Sequence, residues 1–190
     1  MAWVFFGEGT DKIRLKGFLF NNIFCVMSIE IGKHPSESAA ESSYLVMPQH
    51  ANDSGIAFGG TIMAWIDMVA AIVARRHCEH EVVTVNIDSL SFIEPIMIGE
   101  HACLKASVNY VGRTSLEVGV KVFRECPYAK TRSVATKAYL TFVALGEDRR
   151  PIPVPKLIPE TPDEIRRFES AKHRVESRIK LRELLKTIHQ

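Results

Sequence analysis

Apolar and polar positions change their period several times along the chain. From Ile62 to Ala74 every residue is apolar except Asp67. A helix that is hydrophobic all round belongs in a core. The run falls short of the roughly 20 apolar residues a membrane-spanning helix needs. The pattern therefore predicts a buried helix over Thr61–His77, preceded by a short strand at Ser43–Pro48 and a turn-rich loop at Gln49–Gly60. After the helix, β-branched and alternating stretches predict strands within Val82–Pro95, His101–Val111, Ser115–Cys126 and Arg132–Leu145. In the third of these, Leu116, Val118, Val120 and Val122 alternate with Glu117, Gly119, Lys121 and Phe123. Strand, long buried helix, then four strands implies an α+β fold, an antiparallel sheet wrapped around one central helix.

The flanks read differently. Gly32–Ser43 is small and polar, a linker that sets a folded domain at 44–155. Residues 1–43 form an N-terminal extension. The stretch from Met27 onward reads like a natural start, so residues 1–26 are expected to be a misassigned or poorly ordered addition. Pro151–Pro162 is a proline-rich connector, and 156–190 is expected to carry a C-terminal helix. Thr161, Pro162 and Glu164 spell a capping box with proline in the first turn. Ile165, Phe168, Val175, Ile179, Leu184, Leu185 and Ile188 give that helix an apolar stripe, read as docking on its own or a neighbouring subunit.

Composition narrows the classes. The chain has 190 residues, 46% hydrophobic, with a net charge of +2. That is a globular composition with no basic patch of a nucleic-acid binder outside the C-terminal tail. Cys25, Cys78, Cys103 and Cys126 are widely spaced, with no Cys-x-x-Cys pair, so neither a disulfide framework nor a zinc site is expected. A reducing cytoplasm is the simplest setting. His77-Cys78-Glu79-His80 matches no ligand spacing and is read as a polar helix end followed by a turn.

Chemistry is suggested by Asp67, Asn52 and the pair Gly59-Gly60. A carboxylate in an apolar run must be paired, protonated or used. It can serve as a general base or as a nucleophile on a carbonyl, or it can be a satisfied structural acid. No acid occupies the first turn of the predicted helix, so the N–H groups around Gly60 are free to hold a developing oxyanion. Glycine there allows close approach of a ligand. These are parts for acyl transfer to water, with no metal and no cofactor.

The segments MPQHANDSGIAFGGTIMAWIDMVAAIVARRH, VVTVNIDSLSFIEPIMIGE and VNYVGRTSLEVGVKV occur in that order. They resemble the acyl-CoA thioesterases of the hot dog fold, most nearly the bacterial short-chain type related to eukaryotic cytosolic and brain acyl-CoA hydrolases. The resemblance covers about Tyr44 to Pro155. It implies hydrolysis of acyl-CoA to fatty acid and CoA, in a homodimer or a hexamer built as a trimer of dimers. It implies that Asn52 and Asp67 form the active site across the dimer interface. It places Gly112, Arg113, Thr114 and Ser115 near the CoA. In that family the histidine equivalent to His50 is not the base, and Trp65 and Met63 are expected in the core or an acyl tunnel. The partners expected are therefore acyl-CoA and a second copy of the chain, with no nucleic acid and no membrane span. A non-catalytic acyl-CoA-binding regulator on the same fold is the alternative.

Overall fold

The computed structural model describes residues 32–188. The expectations for residues 1–26 lie outside that range. The chain runs α1 (Pro35–Ser38), β1 (Ala40–Leu45), a 3-10 turn at Pro48–His50, α2 (Gly59–Cys78) and β2 (Glu81–Phe92). It continues through β3 (His101–Val111), β4 (Ser115–Cys126), β5 (Thr131–Leu145) and α3 (Pro162–Ile188). The five strands form one sheet in the order β1-β3-β4-β5-β2, and all neighbours are antiparallel.

Alternation in the strands dictates which face meets α2. Leu104, Ala106 and Val108 on β3, Leu116, Val118, Val120 and Val122 on β4, and Ala138, Leu140, Phe142 and Ala144 on β5 are buried. Against them α2 presents Ile62, Trp65, Ile66, Val69, Ala70, Val73 and Ala74. Burying each larger side chain of this set is worth about 1.5–3 kcal/mol. The helix lies along one face of the sheet, as the order of elements implied.

Four expectations need correction, the last of them on α3. The polar stretch Gly32–Ser43 is not a linker, because it contains α1 and the first four residues of β1. Small side chains such as Ser42 and Ser43 suffice on an edge strand whose backbone pairs fully with β3. Lys33 exchanges backbone hydrogen bonds with the connector at Lys156 and Ile158, tying residues 33 and 157 side by side.

Second, α2 is not buried all round. Met63, Met68 and Ile72 are exposed, as are Gly60 and Ala64. Asp67 lies among them, because positions 60, 63, 64, 67, 68, 71 and 72 share one helical stripe. Third, His77-Cys78-Glu79-His80 is only partly a polar helix end. His77 and Cys78 are core residues. His77 Nε2 donates to the Pro155 carbonyl at 3.0 Å. Burial pushes the Cys78 thiol up to about 12. Glu79 closes the helix in the left-handed region at φ 57°.

The capping box at α3 forms as read. Thr161 N–H donates to Glu164 Oε2 at 2.9 Å, and Glu164 N–H donates to Thr161 Oγ1 at 3.2 Å. The docking face of α3 differs from the expected stripe. Phe168, Ala171, Arg174, Val175 and Arg178 face the outer side of the sheet, while Ile165, Ile179, Leu184 and Leu185 are exposed. Phe168 packs on Tyr110 with ring centroids 5.3 Å apart. Arg174 makes two hydrogen bonds to the fully buried Glu117 of β4, at 2.6 and 3.2 Å. Arg178 reaches Asp88 of β2 and the Thr141 hydroxyl.

Candidate active site

Asp67 projects from the middle of α2, half-buried, toward β2. The Thr84 hydroxyl donates to Asp67 Oδ1 at 2.8 Å. Thr84 pairs with Phe142 of β5, whose side chain is in the core, so it lies on the sheet face turned toward α2. The bond occupies one carboxylate oxygen and fixes the rotamer. The sequence reading missed Thr84. The available signal was a hydroxyl on a β-branched strand directly after the helix bearing the acid.

Beyond Thr84 the strand is irregular. Val85 and Asp88 are extra residues in the pairing with β5, two bulges within five positions. Bulges re-aim side chains next to functional sites. Here they turn the acidic side chain of Asp88 to Arg178 and Thr141 on the outer side.

Asn52 stands in the loop that leads into α2. Its Oδ1 accepts from the N–H groups of Ser54 and Ile56, both at 3.1 Å, and its own N–H donates to the Ile56 carbonyl at 2.8 Å. The acceptor end of the amide is thus used to shape the loop. The donor end, Nδ2, makes no hydrogen bond among the described residues, and the residue is exposed.

The start of α2 matches the expectation of an uncapped terminus. Phe58 precedes it without a side-chain cap, no acid lies in the first turn, and the first helical bond runs from Ile62 N–H to the Phe58 carbonyl. The N–H groups of Gly59, Gly60 and Thr61 are therefore the orphans of the helix end, where the dipole favours negative charge. The glycines serve a second purpose. A Cβ on Gly60 would come within 2.7 Å of the Phe58 ring, and one on Gly59 within 3.2 Å of the Phe92 ring. Beside this helix start opens an apolar cavity of about 400 Å³, lined by Ile56, Ile62, Phe92, Ile93 and Ile96 among others.

The candidate residues do not converge within one chain. Gly60 and Asp67 lie on the same face of α2 but seven residues apart, about 10 Å along the axis. A carbonyl held at the Gly60 N–H cannot reach the carboxylate of the same helix. No hydrogen bond joins Asn52 to Asp67. The candidate residues fall into two separate groups, which we call half-sites: Asn52 with the helix start, and Asp67 with Thr84.

Gly112, Arg113, Thr114 and Ser115 form the tight turn between β3 and β4. Gly112 N–H donates to the Ser115 carbonyl at 2.8 Å. The carbonyls of Arg113 and Thr114 accept from Val154 of the connector and Ala144 of β5, both at 3.1 Å, which staples the turn to both. Arg113 is exposed. Leu116, Phe142 and Thr84 form one row across β4, β5 and β2, so the turn sits at the end of the sheet that carries Thr84. It belongs with the Asp67 half.

Trp65 is a core residue, stacked on Tyr44 at 4.5 Å and met edge-on by His50 at 5.1 Å. His50 thus packs the loop, and Met63 lies on the exposed stripe of α2. Among the described residues no cluster of three or more metal-ligating side chains occurs, and no helix is long and apolar enough to cross a membrane.

Comparison with known proteins fits this geometry. The thioesterase superfamily matches residues 54–128. An acyl-CoA thioester hydrolase of Bacillus subtilis, itself uncharacterised, is 40% identical over 142 residues, 75% of this chain and 83% of its own length. An acyl-CoA hydrolase of Staphylococcus aureus superposes with a TM-score of 0.79 at 37% identity, covering 84% of this chain and 99% of that one. It has been solved with butyryl-CoA and CoA, and as alanine variants of one asparagine, one aspartate and one threonine. In that enzyme the asparagine precedes the aspartate by fifteen positions and the threonine follows it by seventeen. Asn52, Asp67 and Thr84 have the same two spacings. A hexameric acyl-CoA thioesterase superposes with a TM-score of 0.77 at 37% identity, over 79% of this chain and 96% of that one. The chain belongs to the acyl-CoA thioester hydrolases of the thioesterase superfamily, on the hot dog fold.

Proposed function

We propose that the protein hydrolyses acyl-CoA to a free acid and CoA at sites shared by two copies of the chain. The observation that carries this reading is the separation of the half-sites along α2. A two-fold arrangement brings the helix start and Asn52 of one protomer to Asp67 and Thr84 of the other. The surface for such pairing is exposed and apolar. β2 is an edge strand bearing Val83, Val85 and Ile87, and α2 adds Met63, Met68 and Ile72. An edge of this kind is a template for strand addition, and a two-fold interface uses the same patch on both copies. The hexameric relative supports further assembly into a trimer of dimers.

In this mechanism the thioester carbonyl rests against the Gly60 N–H and Asn52 Nδ2, with the acyl chain in the cavity beside Phe92. The turn Gly112–Ser115 meets CoA, Arg113 pairing with phosphate while Thr114 and Ser115 offer hydroxyls. Asp67 of the facing protomer takes a proton from water through the oxygen that Thr84 leaves free. The hydroxide adds to the carbonyl carbon, and the oxyanion forms where the helix N–H groups wait for it. The C–S bond then breaks, and the CoA thiolate leaves with the proton returned from Asp67. Thr84 occupying one carboxylate oxygen favours this base role over direct attack by Asp67 to give an anhydride. Free thiols at Cys78, Cys103 and Cys126 support a reducing cytoplasm as the setting.

The test is thiol release from an acyl-CoA series, acetyl to palmitoyl, with Asp67→Asn alongside. Release by the wild type that vanishes in the variant supports the enzyme. Binding of CoA esters without release at any chain length would replace it with the acyl-CoA-binding regulator.

A further inference from the structure

The C-terminal helix α3 runs past the edge of the sheet it rests on. Tyr110, Glu117, Thr141 and Asn86 are register partners on β3, β4, β5 and β2, so they form one row across the sheet. α3 follows that row on the outer side. Phe168 meets Tyr110 at 5.3 Å, Arg174 bonds Glu117 and lies 3.7 Å over the Tyr139 ring, and Arg178 bonds Thr141 and Asp88. The stretch from Phe168 to Arg178 rises about 15 Å, which matches three strand gaps of about 4.8 Å. Arg178 thus stands over β2, the edge of the sheet. The helix continues to Ile188. About 15 Å more of helix, the width of roughly three further strands, therefore lies beyond the edge.

This overhang is not a solvated end. Ala171, Arg174, Arg178, Leu181 and Leu185 recur at spacings of three, four, three and four, so they keep one direction along the helix. Over the sheet that direction holds the fully buried Ala171 and the two arginines on their acids. Past the edge the same direction turns to leucine, and Leu184 widens it. Leu181, Leu184 and Leu185 are 56, 58 and 47% exposed, and every residue from Ile179 to Thr187 is open to solvent. Glu183 and Lys186 hold the opposite side. A helix end this short is marginal in water and draws its stability from packing. The leucines need a surface that continues the sheet beyond β2.

We propose that the overhang docks on a second copy of this chain, with Leu181, Leu184 and Leu185 laid against the outer side of the partner's sheet and its α3. This contact rests on the reading that two copies pair along β2 to share a site. A copy added at β2 continues the sheet at the level where the stripe turns to leucine, and the same two-fold sends the partner's overhang back over this protomer. The contact clamps the dimer on the side opposite to α2, where neither half-site lies.

The experiment compares the full chain with Leu181→Gln/Leu184→Gln/Leu185→Gln, by sedimentation over a dilution series and by acyl-CoA hydrolysis in the same samples. Glutamine keeps the helix propensity, and Arg182→Gln/Lys186→Gln on the charged side serves as control. Wild type and control should assemble with the same affinity. The leucine variant should dissociate to monomers at concentrations at least about 100-fold higher, lose hydrolysis per chain on dilution and regain it when concentrated. A wild type that assembles but hydrolyses no acyl-CoA removes the thioester site, while dissociation of the leucine variant still upholds the contact. A leucine variant that assembles within about threefold of wild type overturns the contact and leaves the shared site standing. So does one that falls from hexamers only as far as fully active dimers, which would put the leucines between dimers. Unchanged assembly with a lower melting temperature, or with loss of sedimentation onto anionic vesicles, would assign the leucines to this chain's own residues or to a lipid surface and likewise overturn the contact. A wild type that is monomeric at every concentration overturns both.

Discussion

Replacing Thr84 with valine removes one hydroxyl and leaves the shape of the side chain intact. In the protomer that hydroxyl donates to Asp67 Oδ1 at 2.8 Å. A hydrogen bond to an ionised group contributes about 1.5–3 kcal/mol when both partners are shielded from water. Asp67 is half-buried in one chain and would be covered by the facing protomer, so that range applies in the dimer. The loss should fall on the step that uses the carboxylate rather than on substrate affinity. At about 1.4 kcal/mol for each factor of ten, kcat of Thr84→Val should drop roughly 10- to 100-fold with KM nearly unchanged. Thr84→Ser keeps the donor and should recover most of the rate. Steady-state kinetics on one well-turned-over acyl-CoA reads both values. If Thr84→Val keeps kcat within about threefold of wild type, Thr84 does not orient the acid and the half-site is wrongly drawn.

Two further outcomes follow from the ion pairs and the buried histidine. Arg174→Met strands the fully buried Glu117 carboxylate, so urea denaturation should show a loss of about 3–5 kcal/mol. Adding Glu117→Leu to that variant should restore much of the loss, since an apolar pair replaces a buried charge; no recovery in the double variant would contradict the reasoning. Burial holds the His77 imidazole below its ordinary 6.5, against the opposing bond to Pro155. The folded protein therefore resists a proton that the unfolded chain accepts. Stability is fully present above about pH 6.5 and declines as pH falls toward the folded value. His77→Gln should flatten the change in urea midpoint between about pH 7.5 and 5.5, and an unchanged slope would remove His77 as its source.

Periodicity made most of the fold legible. β3 and β4 fall where alternation places them, and α2 gains two residues at its start and one at its end, as Gly59 and Gly60 enter helical conformation. The misses share a cause, because a sequence pattern gives the faces of an element but not what covers them. The apolar run Ile62–Ala74 looked buried on every side, whereas Met63, Met68 and Ile72 form an exposed stripe along it. Glu117 fell in the polar phase of β4, and nothing in that pattern reports whether it is covered. It is buried because α3 brings Arg174, 57 residues later in the chain, over it. Gly32–Ser43 read as linker because its side chains are small and polar. Its order comes from backbone pairing with β3 and with Leu157, which side-chain composition does not report.

Of the candidate site, Asn52 and Asp67 were legible in the sequence and the residue that supports Asp67 was not. Asp67 announced itself as the one acid in an apolar run, and Asn52 as an amide in the loop ahead of an uncapped helix. Thr84 had no such contrast, since threonine is ordinary in a strand. That Gly60 and Asp67 cannot serve one carbonyl in the same chain follows only from helix geometry.

Mixing two inactive variants tests the shared site most directly. Asn52→Ala and Asp67→Asn are unfolded and refolded together in equal amounts, and acyl-CoA hydrolysis is measured against each variant alone. A dimer of one chain of each kind contains one intact site, built from Asn52 of one protomer and Asp67 of the other. Random pairing makes half the dimers mixed, so hydrolysis should return to about a quarter of the wild-type rate per chain. A mixture no more active than the separate variants, in a sample shown to contain mixed dimers, would contradict a site shared between protomers.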